Sequence, residues 1–286
     1  MLQGARRPSR LRVGDRRMDQ LLHGRYRARI AKTAVDIEAT QRLRYRLFRG
    51  QSAGAQNDKL ALDQDRFDPL CDHMMIEDVA SGRLVCSYRL LRFETSRAVL
   101  ESYSGRFYGI NKLACQPGPM AEMGRFCLDM GQPDPDVMRL AWAAMAAWVD
   151  GAGVKRLLGC ASFSGCVPAP YLPAFALLRA RHLGPESLLP DVKADEVFAF
   201  GAGLADHVAD QVAGLRVMPP LLRSYLAMGG WVSDHAVIDR DLNTLHVLVV
   251  LEIEAIPKAR AAALRALAHP KTAPDCEHHN RPINPA

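Results

Sequence analysis

Hydrophobic and polar positions along the chain follow two alternating periods, one of two residues and one of about 3.6, the marks of strand and helix. Tyr26 to Lys32 reads as a first strand. Thr33 then supplies an N-cap for a helix from Ala34 to Arg49, with Gly50 as its stop. Ile37, Arg44 and Phe48 share a face of that helix, so Arg44 borders its apolar stripe. Residues 51–64 are polar and predict a mobile loop. Met74–Val79 and Leu84–Phe93 form a hairpin pattern turning at Ser81-Gly82. The second of these runs is apolar on both faces, which predicts a central strand with Arg89 in its middle.

Ala121 to Leu128 is the next strand. Asp134 caps a following helix that opens on Pro135, carries Val137, Leu140, Ala141, Met145, Trp148 and Val149 on one face, and stops at Asp150-Gly151. A strand at Lys155–Ser162, a Gly/Pro-rich break and a helix over Leu172–Arg181 come next. A short helix near Pro220–Met228, strands at Trp231–Ile238 and Thr244–Ile253, and a helix from Pro257 to Ala268 complete the pattern. Antiparallel hairpins joined by helical crossovers predict an α/β domain, a mixed central sheet flanked by helices, over residues 25–268. No repeat is visible. The polar ends, 1–24 and 269–286, predict disordered tails.

Composition narrows the function. Of 286 residues 49% are hydrophobic and 24% charged, the profile of a globular protein. The longest apolar run, Leu140 to Val149, falls short of the roughly 20 residues that cross a bilayer, and no secretory signal opens the chain. The expectation is a cytoplasmic protein. Seven cysteines without a CxxC pair fit a reducing compartment and argue against a disulfide framework or a zinc site. The net charge of +6 does not indicate nucleic acid, because residues 1–29 hold nine Arg against Asp15 and Asp19 and leave the remainder at −1. The basicity is that of a solvated tail, one able to touch anionic lipid or an acidic partner.

Three ionisable residues, Arg89, Glu122 and Arg125, occupy positions usually given to hydrophobes, and charged groups are rarely buried unpaired. Arg44 and the acidic stretch Asp65-Arg-Phe-Asp68-Pro-Leu-Cys-Asp72 add to the set. An ion-pair network tying strands together explains these charges as readily as an active site does. Strict alternation sends Glu122 and Arg125 to opposite faces, so both reach one site only through a bulge or a strand end. As chemistry, the set suits an amine attacking a thioester. Such a reaction needs a proton acceptor, for which a Glu in a partly apolar strand has a raised pKa, and donors for the oxyanion. Arginine forks fit an amino acid's carboxylate. The stretch 159–166 holds no GxSxG elbow, and no GxGxxG or GxxxxGK[ST] loop occurs. His73 to Asp78 has an HxxxxD spacing used in glycerolipid acyl transfer to hydroxyls, a pattern easily met by chance.

The blocks Phe67-Asp-Pro-Leu-Cys-Asp-His73, Ser87-Tyr-Arg-Leu-Leu91, Glu122-Met-Gly-Arg-Phe-Cys127, Gly159-Cys-Ala-Ser-Phe-Ser-Gly165, Pro219-Pro-Leu-Leu-Arg-Ser-Tyr-Leu226 and Ala236-Val-Ile-Asp-Arg-Asp241 resemble, in order, the ornithine lipid N-acyltransferases. The resemblance implies a Gcn5-related acyltransferase fold. It also implies transfer of a 3-hydroxyacyl group from acyl carrier protein to the α-amino group of ornithine, giving lyso-ornithine lipid. The acyl-homoserine-lactone synthases are similar through Arg44 with Phe48, Asp65 and Asp68, Arg89, and Glu122 with Arg125-Phe126. That similarity assigns Glu122 and Arg125 to catalysis and Arg44, Phe48, Asp65, Asp68, Arg89 and Phe126 to substrate binding. It implies no metal and no cofactor beyond the carrier's own phosphopantetheine. Where acetyl-CoA enzymes of this fold hold pyrophosphate on a glycine-rich loop, this chain has Asp129-Met-Gly-Gln-Pro-Asp-Pro-Asp136. Its prolines lack N–H donors and its acids repel phosphate, which fits a carrier-protein donor. Donor and product are amphipathic, so contact with the membrane's inner face is expected. Open alternatives are another acceptor such as glutamine, or a non-catalytic module that binds lipid or carrier protein.

Overall fold

A computed structural model of the chain describes residues 20–49, 60–129 and 134–268. A short hairpin of β1 (Leu21–His23) and β2 (Tyr26–Ile30) leads into α1 (Ala34–Phe48). Thr33 caps α1 as expected, and the structure adds a reciprocal bond from Asp36 that completes a capping box. Then come β3 (Asp72–Asp78), β4 (Leu84–Phe93), the small elements α2 (Tyr103–Phe107), β5 (Tyr108–Gly109) and α3 (Asn111–Ala114), and β6 (Met120–Leu128). α4 (Pro135–Ala152) crosses over to β7 (Arg156–Ser164), which α5 (Leu172–Arg181) follows. Short β8 (Asp191–Val192), β9 (Val197–Phe198), α6 (Phe200–Gly203) and α7 (Gln211–Val217) precede α8 (Pro220–Ala227). The hairpin of β10 (Trp231–Asp239) and β11 (Thr244–Glu252) and the helix α9 (Lys258–Ala268) close the described chain.

The main sheet runs β1-β2-β3-β4-β6-β7-β11-β10-β9. Every step is antiparallel except β6 to β7, which is parallel and needs the α4 crossover. That step is also short. It extends from Met120↔Arg156 to Glu122↔Leu158, whereas β7 pairs with β11 along its whole length. At the end of the short ladder the backbones press together: a Cβ on Gly159 would lie 2.3 Å from the Met123 carbonyl oxygen. On one face of the sheet a large core gathers Met123, Leu140, Met145, Phe163, Phe175 and Tyr225 from α4, α5, α8 and the strands beneath them. On the other, a smaller core of Phe93, Val99, Tyr108, Leu113, Leu158 and Leu248 seats the 96–114 segment.

The structure departs from the sequence pattern in several places, among them β8, β9, α6 and α7 between residues 191 and 217, which carry no readable period. Residues 21–24, assigned to a tail, form a hairpin because Leu21 is buried against the core and Gly24 takes the left-handed φ of +55° that the turn requires. Arg27 and Arg29 lie in β2 and pair with Glu77 at 2.8 and 2.7 Å, so part of the N-terminal basicity belongs to the fold. α4 ends at Ala152, just past the expected Asp150-Gly151 stop, with Gly153 at φ +64° as its C-cap. The stretch from Ser96 to Ala114 holds short helices whose few turns give no readable period. Gly50, the expected stop of α1, and most of the expected 51–64 loop lie outside the described residues, as do the outer parts of both expected tails.

Gly159→Ala should force β6 and β7 apart and lower stability by about 1–3 kcal/mol, as overpacking of a tight contact does. Urea unfolding, in which a midpoint equal to the parent's would count against the contact, checks this.

Candidate active site

The irregularity that would bring Glu122 and Arg125 together is present. Ser87 pairs with Cys127 and Arg89 with Gly124, so Arg125 and Phe126 both stand opposite Tyr88. Arg125 absorbs the extra residue with a φ of +53°, a left-handed conformation unusual for a side chain with a Cβ. Phe126 consequently stacks on Tyr88, 5.5 Å between centroids, toward the large core. Arg125 turns to the opposite face, where it shares Asp65 with Arg89.

There the buried charges close on one another. Arg44 in α1 is fully buried. Its Nε donates to Asp63 at 3.0 Å, and its Nη2 donates to Asp68 at 2.9–3.0 Å and also to the Asp63 carbonyl. Arg89 Nη1 donates to Asp65 at 2.6 Å and to Asp68 at 2.8 Å, and its Nη2 to Asp65 at 3.0 Å. Arg125 Nε donates to Asp63 at 3.0 Å and Nη2 to Asp65 at 3.4 Å. Three guanidiniums thus face three carboxylates, with Arg49 reaching Asp63 from the end of α1 at 3.4 Å and Asp241 at 2.9 Å. Burial alone would raise the Asp68 pKa, but Arg44 and Arg89 draw it down to about 2. Asp65 is lowered in the same way, burial being outweighed chiefly by Arg89.

Glu122 stands apart from this lattice. Its Oε1 accepts from the Ser104 backbone N–H at 2.7 Å and the Ser104 hydroxyl at 2.6 Å, and its Oε2 from the Tyr103 N–H at 2.9 Å. These are the first two N–H groups of α2, which would otherwise lack partners; the third bonds Ser102 Oγ at 2.9 Å. Burial raises the Glu122 pKa above the ordinary carboxylate range, and the Ser104 and Tyr103 donors oppose that rise. Tyr103 links the two groups, since the Arg125 guanidinium lies 5.0 Å from its ring centroid. Glu122 is also the last residue of β6 paired with β7, so carboxylate and bulge sit where the parallel ladder ends.

Phe48, half-buried, is the last residue of α1 and directly precedes Arg49. His73 is buried with its ring nitrogens 3.2 Å from Thr40 Oγ1 and 3.0 Å from the Asp68 carbonyl, while Asp78 caps the β3–β4 turn by accepting from the Ala80 and Ser81 N–H groups. Five strand residues separate the two by roughly 16 Å, so the HxxxxD spacing forms no dyad. Among the described residues no group of three or more His, Cys, Asp or Glu side chains could hold a metal. Of the Asp129–Asp136 stretch, Asp129 pairs with Arg46 at 2.9 Å and Asp134 caps α4; residues 130–133 lie outside the described chain. Sequence reasoning missed Asp63, Tyr103 and Ser104. The spacing Asp63-x-Asp65-x-x-Asp68 could have pointed to the first, whereas nothing local marks the other two.

Residues 43–143 match the model of the acetyltransferase (GNAT) domain family. An L-ornithine N(alpha)-acyltransferase of Rhodobacter capsulatus is 32% identical over 81% of this chain and 91% of its own length, and one of Brucella abortus is 31% identical over 82% and 86%. The chain belongs to this acyltransferase family. A solved N-acyl amino acid synthase from uncultured soil microbes is 10% identical, with a TM-score of 0.46 over 80% of this chain and 93% of its own. This acyltransferase is an N-acyltransferase with a GNAT fold. No helix among its described residues is long and apolar enough to cross a membrane.

Asp68→Asn in the acyltransferase should cost about 3–5 kcal/mol at neutral pH, because it leaves buried guanidinium charge uncompensated. The sign with pH follows from the depressed pKa. The carboxylate's contribution is complete above its unfolded value near 3.9 and is lost as pH falls toward about 2. Denaturant midpoints of parent and variant should therefore converge in acid; a gap constant from pH 7 to pH 3 would show that the ion pairs do not carry it.

Proposed function

We propose that the enzyme moves a 3-hydroxyacyl group from the phosphopantetheine of acyl carrier protein to the α-amino group of ornithine, giving lyso-ornithine lipid. The observation that carries this reading is the relationship to L-ornithine N(alpha)-acyltransferases along four-fifths of the chain. The chemistry needs little from the protein, because a thioester is already activated. The α-nitrogen attacks the carbonyl carbon, the C–N bond forms, the C–S bond breaks, and the thiolate leaves on the carrier. The nitrogen must lose a proton. In our reading Glu122 takes it, directly or through water: Oε2 accepts only one hydrogen bond, and burial has already raised the group's affinity for a proton.

Arg125 is the contact assigned to the acceptor carboxylate or the oxyanion, since its Nη1 carries no carboxylate among the described residues while Nε and Nη2 are held by Asp63 and Asp65. Arg44, Asp65, Asp68 and Arg89 then act through Arg125, as the lattice that fixes its position. Phe126, directed by the bulge onto Tyr88, packs beside the large core and supports the position of Arg125. Phe48 is assigned to the rim of the acceptor site.

The test is to incubate the enzyme with 3-hydroxyacyl carrier protein and a panel of amino acids, reading free carrier thiol and product mass. Thiol release that depends on ornithine and yields its N-acyl derivative is expected; release independent of any amino acid would sink the proposal. Glu122→Gln should lower kcat at least 100-fold. Because Glu122 must be ionised to accept the proton and its pKa is raised, activity should fall as pH drops through a value above the usual 4.3 of a Glu. A kcat/KM profile with no acid limb above that value would remove Glu122 from the role.

A further inference from the structure

Asp239, at the end of β10, is a buried carboxylate that the ion-pair lattice leaves out. It is 7% exposed, yet among the described residues no Arg, Lys or His pairs with it. Its Oδ1 accepts from the Leu242 N–H at 3.1 Å and its Oδ2 from the Tyr103 hydroxyl at 3.3 Å. These are two neutral donors, one of them long. Every other strongly buried carboxylate near the site has a guanidinium against it, apart from Glu122. A carboxylate removed from water with no cation is costly, and the cost is offset if a cation arrives with the ligand.

Tyr103 supplies the geometry. Its backbone N–H donates to Glu122 and its hydroxyl donates to Asp239, so the two carboxylates stand at opposite ends of one tyrosine. On standard bond lengths a tyrosine reaches about 7 Å from nitrogen to hydroxyl, and an extended ornithine about 6 Å from its α- to its δ-nitrogen. Ser162 and Ser164 of β7 are exposed, and Ser164 pairs with Thr244, itself the partner of Asp239.

We propose that Asp239 is the counter-ion for the distal ammonium of the amino-acid acceptor, and that the enzyme selects acceptors bearing a second, cationic amine one tyrosine's length from the first. The inference rests on the amino-acid acyltransferase reading and deepens it, naming the residue that discriminates. Glu122 meets the nitrogen that reacts and Asp239 the nitrogen that does not. Tyr103 keeps them apart, and because its hydroxyl is a weak, displaceable partner, the ammonium can take its place on Oδ2.

The experiment compares ornithine with norvaline, which is ornithine without its δ-amino group, using 3-hydroxyacyl carrier protein as donor. In the parent, ornithine should be strongly preferred. In Asp239→Asn, kcat/KM for ornithine should fall about 10- to 100-fold, through KM rather than kcat, and the preference over norvaline should shrink by the same factor. An ornithine KM that does not move overturns the proposal. So does a loss of turnover that leaves the preference intact, or a variant whose melting temperature has collapsed, since either marks Asp239 as structural. A parent enzyme that acylates no amino acid at all fails the functional reading instead, and does so without reference to the variant.

Discussion

The constraint on which the structure depends is that a guanidinium taken out of water must meet its charge in the protein. Arg44 is fully enclosed and Arg89 nearly so, and neither could be enclosed alone. Asp63, Asp65 and Asp68, from one short stretch between α1 and β3, are shared among three arginines that come from α1, β4 and β6. A helix, two strands and a connecting segment are thereby held to one arrangement by groups that tolerate no other. The left-handed backbone at Arg125, which costs roughly 1–2 kcal/mol, is part of the same settlement, because in regular pairing that side chain would face the large apolar core.

Much of this fold was legible in the sequence because its long elements carry strong periods. The cap at Thr33, the Asp134-Pro135 opening of α4 and the bounds of α5 all follow from local chemistry that tertiary contacts did not override. The charged residues could be singled out too, since Arg89 and Glu122 interrupt apolar runs. Their convergence could not. Whether Arg125 shares a face with Glu122 depends on one extra residue in β6, and two-residue alternation does not show which position bulges. The partners of Glu122 were equally hidden, because α2 is five residues long and is held by Glu122 itself rather than by its own propensity. Asp63 lies in a polar stretch that composition assigns to a loop, and a loop it is; only the structure shows the side chain buried.

The two carboxylates nearest the proposed chemistry are treated in opposite ways by the fold. Glu122 is buried and supplied with three donors that oppose the rise burial gives its pKa; Asp239 is buried and supplied with two, one of them long. An uncompensated buried carboxylate is costly to the folded state. Keeping it makes sense as a site whose missing member is brought in from solution.

The short β6–β7 ladder gives this arrangement a mechanical side. The sheet amounts to two plates, β1-β2-β3-β4-β6 and β7-β11-β10-β9, joined edge to edge by three rungs. The arginine lattice and Glu122 ride on the first plate and Asp239 on the second, with Tyr103 to Asp239 and Arg49 to Asp241 as side-chain ties between them. Were one plate to turn against the other, the distance between the two carboxylates would change while every long ladder stayed whole. A ligand gripping both would therefore act as a strut, setting the angle at which the plates come to rest.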